Sequence, residues 1–229
     1  MKIKFKIIII FLFFPIIFGN NFLYNESIRE EIKVIDVEKN VFDSFRSYNE
    51  NIDIKTVKKF IEVCDSFLLL EHIKTLTAQI CLESGSNHLN KDTGVLYNKE
   101  AIGICQITPS TAYLCFKNII KNHKQIKQLG AEDYKNIITI QNDSIRKESI
   151  KKWLTNETNN LIMYGVLIDY GIKKYGSLEK SLVLYSNGDS YLKKIKKTDI
   201  KSNKYIRSID NIKGKLETLS NKKDINKNY

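Results

Sequence analysis

Glu83 closes a stretch of helical spacing in which Leu76 and Ile80 lie seven and three residues before it. At about 100° per residue, Glu83 falls within roughly 60° of both, on the apolar stripe of that helix. A carboxyl on such a face is partly desolvated, which raises its pKa. The C-terminal end of a helix is also the negative end of its dipole and disfavours a further negative charge. Both effects favour a carboxylic acid that keeps its proton near neutral pH, the state a general acid needs. A core carboxylate satisfied by hydrogen bonds has the same pattern, so position alone leaves both readings open. The other reactive residue types form no comparable group. Cys64, Cys81, Cys105 and Cys115 have spacings that match no zinc pattern, and His72, His88 and His123 are scattered. No metal and no organic cofactor is expected. The four cysteines are read either as disulfides, with three possible pairings, or as buried free thiols.

Around Glu83 the chain carries a series of short motifs in order. These are Glu83-Ser84-Gly85, then Gly103-Ile104-Cys105-Gln106, then Pro109-Ser110-Thr111-Ala112, and last Leu184-Tyr185-Ser186-Asn187-Gly188. The series resembles the soluble lytic transglycosylase family, whose lysozyme-like domain carries E-S-G, G-L-M-Q, P-x-T-A and A-Y-N-A-G. The resemblance covers roughly residues 73–194. It implies that Glu83 is the single acid/base catalyst, with Ser84 beside it. It further implies that Gly103 and Gln106 line a sugar-binding cleft, and that Tyr185 points its hydroxyl at Glu83 from the opposite wall. Ser186 and Asn187 stand where the family has Asn-Ala, so the polar amide is displaced by one residue. Glu100 takes the place of a usual glycine, Cys105 that of a methionine, and the loop between Glu83 and Gly103 is longer than in common members. A family asparagine falls near Asn159 and Asn160 only with a shift of one residue, and the resemblance assigns it no role.

The activity implied is cleavage of the β-1,4 bond between N-acetylmuramic acid and N-acetylglucosamine in peptidoglycan, with a 1,6-anhydro product. One carboxylate suffices for that route, because the substrate's acetamido group can assist the departing sugar. Two rivals have other requirements. A lysozyme-type hydrolase of the same fold needs a second carboxylate, for which Asp92, Glu100 and Asp189 are the candidates near the motifs. A non-catalytic, basic wall-binding protein would leave Glu83, Gln106 and Tyr185 unexplained.

The elements that position these residues read as helices. Asp53 caps a helix through Val57, Phe60, Ile61, Cys64 and Leu68, and a second covers about residues 73–83 with Gly85 as its stop. Residues 84–99 are rich in Ser, Asn, Asp and Gly and read as loop. Thr108-Pro109 starts a helix through Ala112 and Phe116. Residues 121–147 show little periodicity. Helical spacing returns through Trp153, Leu161, Tyr164, Leu167 and Ile168, with a stop at Gly171 or Gly176, and Ser177 caps a further helix carrying Leu178, Leu182 and Tyr185. The fold class expected is mainly α, a lysozyme-like helical domain with at most a small β element.

At 229 residues, with 42% apolar residues and only two prolines, the chain has room for one such domain with flanking segments. Residues 1–20 read as an export signal or an uncleaved anchor, with Lys2, Lys4 and Lys6 ahead of the apolar run 7–18. Residues 21–55 then form an N-terminal helical segment, 56–195 the transglycosylase-like domain and 196–229 a basic helical tail. The tail's apolar positions Ile200, Ile206, Ile209, Ile212, Leu216 and Leu219 give it one face to pack on the domain. The formal charge is +11, and about +8 remains without the three leading lysines. Such a charge suits an anionic polymer, and with an export signal the partner expected is peptidoglycan in the periplasm or cell envelope. Peripheral attachment through the tail fits the same charge. Nucleic acid is ranked last, since the chain has no recognition motif for it.

Overall fold

The computed structural model describes residues 36–50, 52–85, 88–89, 96–98, 100–118, 126, 128–131, 134–195 and 199–225. The expected export signal, residues 21–35 of the expected N-terminal segment, Asp92 and His123 lie outside them. Contacts divide the chain into two compact units, Met1–Lys39 and Asn40–Tyr229 (the second unit). The expected basic tail is part of that unit.

The described residues are mostly helical. Helix α1 ends at residue 48, α2 spans Ile54–Ser66, and a short 3-10 turn at Leu70–His72 leads into α3, Ile73–Gly85. Three short strands follow: β1 at His88–Leu89, β2 at Leu96–Asn98 and β3 at Ala101–Ile102. They form an antiparallel sheet in chain order, with Tyr97 opposite both His88 and Ile102. Then come α4 (Pro109–Asn118), α5 (Tyr134–Ile138), α6 (Asp143–Leu154), α7 (Glu157–Tyr175), α8 (Leu178–Asn187), α9 (Asp189–Lys194) and α10 (Lys204–Ile225). The fold is mainly α with a small β element, as the spacing predicts.

Several helix starts follow directly from side-chain chemistry. The Asp53 carboxylate accepts from Thr56 N at 2.8 Å, and Thr108 Oγ1 from Thr111 N at 3.2 Å. Ser177 Oγ accepts from Lys180 N at 3.3 Å. Each meets a backbone N–H that the first turn leaves without a partner. Asn156 does the same for α7, accepting from Asn159 N at 3.1 Å. That cap separates Trp153, in the last turn of α6, from Leu161 onward, so the apolar run expected as one helix is two.

Helix α7 is the centre of the unit. Residues 160–169 are all buried, as expected of a helix with neighbours on every side. Close approach needs small residues. A Cβ on Gly165 would stand 2.5 Å from Val63 Cγ1 of α2, and one on Gly171 would stand 2.8 Å from the Ser181 backbone of α8. Gly171 is therefore a packing position within α7, and the helix ends at Gly176, whose φ of 77° provides the left-handed cap. Helix α10 lies along α3 and also meets α8. Its Ile206, Ile209 and Ile212 are buried while Leu219 is 48% exposed, so the apolar face works only over the first half of the helix.

Helix α2 ends differently from expectation. The N–H of Leu69 reaches the carbonyl of Cys64 at 2.7 Å and that of Leu68 reaches Asp65 at 2.9 Å, the paired bonds of a Schellman cap. The left-handed position is occupied by Leu68, at φ 57° and 86% exposed, rather than by glycine. Leu68 continues the apolar spacing of α2, but the chain has turned before it can face the core. Leu68→Gly is expected to raise stability by about 0.5–1 kcal/mol, since it removes the left-handed strain and no buried contact. A higher urea midpoint with unchanged slope is the result that checks it.

Candidate functional site

Glu83 lies in the last turn of α3 and is half-buried, one helical turn beyond Gln79 and Ile80, both fully buried. Its Oε1 accepts a hydrogen bond from the hydroxyl of Tyr205, in the first turn of α10. Asn203 fixes that start, because its carbonyl accepts from Arg207 N at 3.0 Å and its Oδ1 from Tyr205 N at 2.9 Å. Burial raises the Glu83 pKa above its usual 4.5, and the Tyr205 hydroxyl works against that rise. Tyr205 is itself pushed well above the usual phenol range, chiefly by burial and next by the Glu83 charge. It therefore stays protonated and able to donate.

Two further tyrosines face this carboxyl. Tyr164 of α7 and Tyr185 of α8 meet edge to face, with ring centroids 5.7 Å apart. Burial holds both hydroxyls well above their usual pKa, and the Glu83 charge adds to the effect. Tyr164 donates to Gln79 Oε1 at 2.7 Å, and Gln79 Nε2 donates to the Tyr205 oxygen at 3.0 Å. The Tyr185 hydroxyl donates to the carbonyl oxygen of Cys105. This differs from the expectation that Tyr185 points at Glu83. Tyr205 supplies the hydroxyl on the carboxylate, and Tyr185 fastens the turn that follows β3.

That turn is also held from α7. Asn160, fully buried at the start of α7, accepts from Cys105 N at 2.9 Å and donates to the carbonyl of Ile102 at 2.9 Å. Its approach leaves no room at Gly103, where a Cβ would stand 2.5 Å from the Asn160 amide and where φ is 74°. A glycine is required on both counts. Gln106, at φ 52°, curls its side chain back so that Nε2 donates to the Gly103 carbonyl at 2.7 Å. Gly103 and Gln106 thus shape the turn itself, and Gln106 is only 7% exposed. A bridge between Ile102 and Ile107 closes the turn.

The remaining expected residues are less central. Ser84 is buried beside Glu83. Ser186 and Asn187 are exposed at the end of α8 and bonded to one another, Ser186 Oγ to Asn187 Oδ1 at 2.5 Å. Glu100 is exposed between β2 and β3. Asp189 is held by Lys174 at 2.8 Å and Lys193 at 2.6 Å, with a further bond from the Tyr175 hydroxyl. Those donors depress its pKa far below the usual carboxylate range, which suits an anchor for α9 more than a base. Cys64, Cys81 and Cys105 are free thiols, all buried, with Cys81 pushed up to about 12 by burial. The reading of buried thiols holds for these three, and the Cys115 side chain lies outside the described residues. A cavity of about 300 Å³ between α3, α8 and α10 is lined by Thr75, Leu182 and Ile209 among others, and Glu83 is not part of its wall.

Sequence reasoning names Glu83, Gly103 and Tyr185, reaches Asn160 without giving it a role, and does not point to Tyr205 or Gln79. The signal for Tyr205 is Asn203, a capping residue ahead of the buried positions Ile206 and Ile209, which places Tyr205 at a packed helix start. No protein-family model matches the chain, and no curated protein or solved structure matches it either.

Two consequences can be measured. Asn160→Ala leaves the Cys105 N–H without its partner and the Ile102 carbonyl with only the Ile107 N–H, and should lower stability by about 1–3 kcal/mol in urea unfolding. Glu83 has a folded pKa above its unfolded value, so its contribution to stability is present below the unfolded pKa and is lost as pH rises through the folded one. Glu83→Gln should therefore gain stability relative to wild type between pH 4 and pH 8, and denaturation midpoints measured across that range show the sign.

Proposed function

We propose that this chain is an exported, peptidoglycan-cleaving lytic transglycosylase with Glu83 as its single acid/base group. The observation that carries the reading is the Glu83 carboxyl itself. It is half-buried, and its pKa is raised by burial, yet a tyrosine hydroxyl is aimed at it. The two halves of the reaction need opposite things from this group. Desolvation favours the protonated acid that donates to the bridging glycosidic oxygen as the C–O bond breaks with oxocarbenium character. The Tyr205 hydroxyl favours the carboxylate that remains, which then takes the proton from the C6 hydroxyl. The C6 oxygen closes on C1, so proton and bond counts balance and no water is consumed. The substrate's acetamido group would stabilise C1 in between.

The order of motifs supports the same reading. Cys105, in the turn after β3, and Tyr185 are far from Glu83 in sequence, yet both feel its charge and are bonded to one another. Among the described residues, the hydrolase alternative gains little. Asp189 is tied to two lysines and Glu100 is exposed. The expected envelope location is part of the proposal. No helix among the described residues is long and apolar enough to cross a membrane.

Incubating the purified protein and its Glu83→Gln variant with peptidoglycan, then weighing the released sugars by mass spectrometry, tests the proposal. The wild type should release anhydro-muropeptides, and the variant at least ~100-fold less. Reducing, hydrated ends would assign the protein to the hydrolases. No release from either protein, with wall binding retained, would sink the enzymatic reading.

A further inference from the structure

A carboxamide has two unlike ends, an oxygen that only accepts and a nitrogen that only donates. Gln79 is fully buried in α3, where Leu76, Ile80 and Cys81 around it are apolar and buried as well. Packing alone would be served by leucine, and burying an amide is unfavourable unless both ends are bonded. Both ends are bonded here, each to a tyrosine hydroxyl, at 2.7 Å to Tyr164 and 3.0 Å to Tyr205. Since the Tyr205 oxygen accepts from Gln79, its one hydrogen is left for Glu83. The bonds therefore run in one direction: Tyr164 to Gln79, Gln79 to Tyr205, Tyr205 to Glu83.

Tyr164 supplies that direction. Its side chain is completely buried, with the Phe60 ring centroid at 6.4 Å and that of Tyr185 at 5.7 Å. Its hydroxyl hydrogen lies on Gln79 Oε1 and keeps the amide oxygen on that side. With the amide reversed, its oxygen would face Tyr205 and draw the Tyr205 hydrogen away from Glu83. Lone pairs would then oppose the carboxylate. Among the described residues, the titratable groups that face Glu83 are Tyr205 on α10, Tyr164 on α7, Tyr185 on α8 and Cys105 after β3. All four are neutral acids, so stabilising the carboxylate falls to hydrogen-bond donation.

We propose that Gln79 is a positioning residue for Glu83: its amide, oriented by Tyr164, commits the Tyr205 hydroxyl to donating to the Glu83 carboxylate. This deepens the reading of Glu83 as the acid/base group. A donor already aimed at the carboxylate needs no reorganisation when the proton leaves, which is how fixed dipoles aid proton transfer.

The test is a direct titration of Glu83 in the full chain, labelled with carbon-13 at glutamate carboxyls and followed by NMR, with Glu83→Gln to assign the signal. Gln79→Met, Tyr164→Phe and Tyr205→Phe are compared with wild type. Losing a hydrogen bond to the charged form raises a carboxyl pKa, so the midpoint should rise by about one pH unit in Tyr205→Phe and Gln79→Met. It should rise by less, in the same direction, in Tyr164→Phe, although Tyr164 makes no hydrogen bond to Glu83. A midpoint that stays put in Tyr205→Phe, or in both Gln79→Met and Tyr164→Phe, overturns the proposal. If circular dichroism shows Gln79→Met to be unfolded, Tyr164→Phe decides. The titration needs no substrate, so a protein that cleaves no glycan would defeat the proposed function and leave this result standing. In an active enzyme, the alkaline limb of kcat/KM should move up in the same order of variants.

Discussion

A carboxyl group set on an apolar helix face has to receive hydrogen bonds from whatever packs against that face. Here the donor comes from 122 residues away, where Tyr205 meets Glu83 across the contact of α10 with α3. Much of the second unit can be understood as the means of holding that contact. Asn203 fixes the start of α10, Ile206 and Ile209 bury its inner face, and Gln79 joins Tyr205 to Tyr164 at the centre of α7. A helix that looks like a basic appendage in composition is a wall of the site.

The turn after β3 is organised by the same central helix. Asn160 meets the backbone on both sides of Gly103, and Tyr185 holds the Cys105 carbonyl from α8. A two-ended amide is well suited to this task, because one side chain can satisfy a donor and an acceptor that lie three residues apart. Gly103 is the necessary counterpart, since any side chain there would displace the amide. The turn is thus tied to α7 and α8 together, and those two helices are themselves brought close by Gly171.

The position of Glu83 was legible because the argument for it is local. Helix phase places it with Leu76 and Ile80, and both are fully buried. The caps at Asp53, Thr108 and Ser177 were legible for the same reason, being interactions within one turn. Periodicity puts Leu68 on the core face because it carries no information on where a chain leaves its helix. The break at Asn156 was hidden by apolar residues that recur on both sides of it. Spacing turns Tyr185 inward, towards the Glu83 carboxyl, but its hydroxyl donates to the Cys105 carbonyl, since spacing gives the face of a helix and not the partner across it.

Local sequence carries the helical class, the starts of α2, α3, α4 and α8, and the residue on which the chemistry is proposed to turn. All three follow from interactions within a few residues, whose geometry is set by the backbone period. Which hydroxyl reaches Glu83, that Gln79 joins two tyrosines, and that Asn160 braces the turn at Gly103 follow from the packing of distant segments. Those pairings depend on how α3, α7, α8 and α10 cross. The crossing of α7 with α8, for one, is set by close packing at Gly171, where the deciding quantity is the space left between two segments.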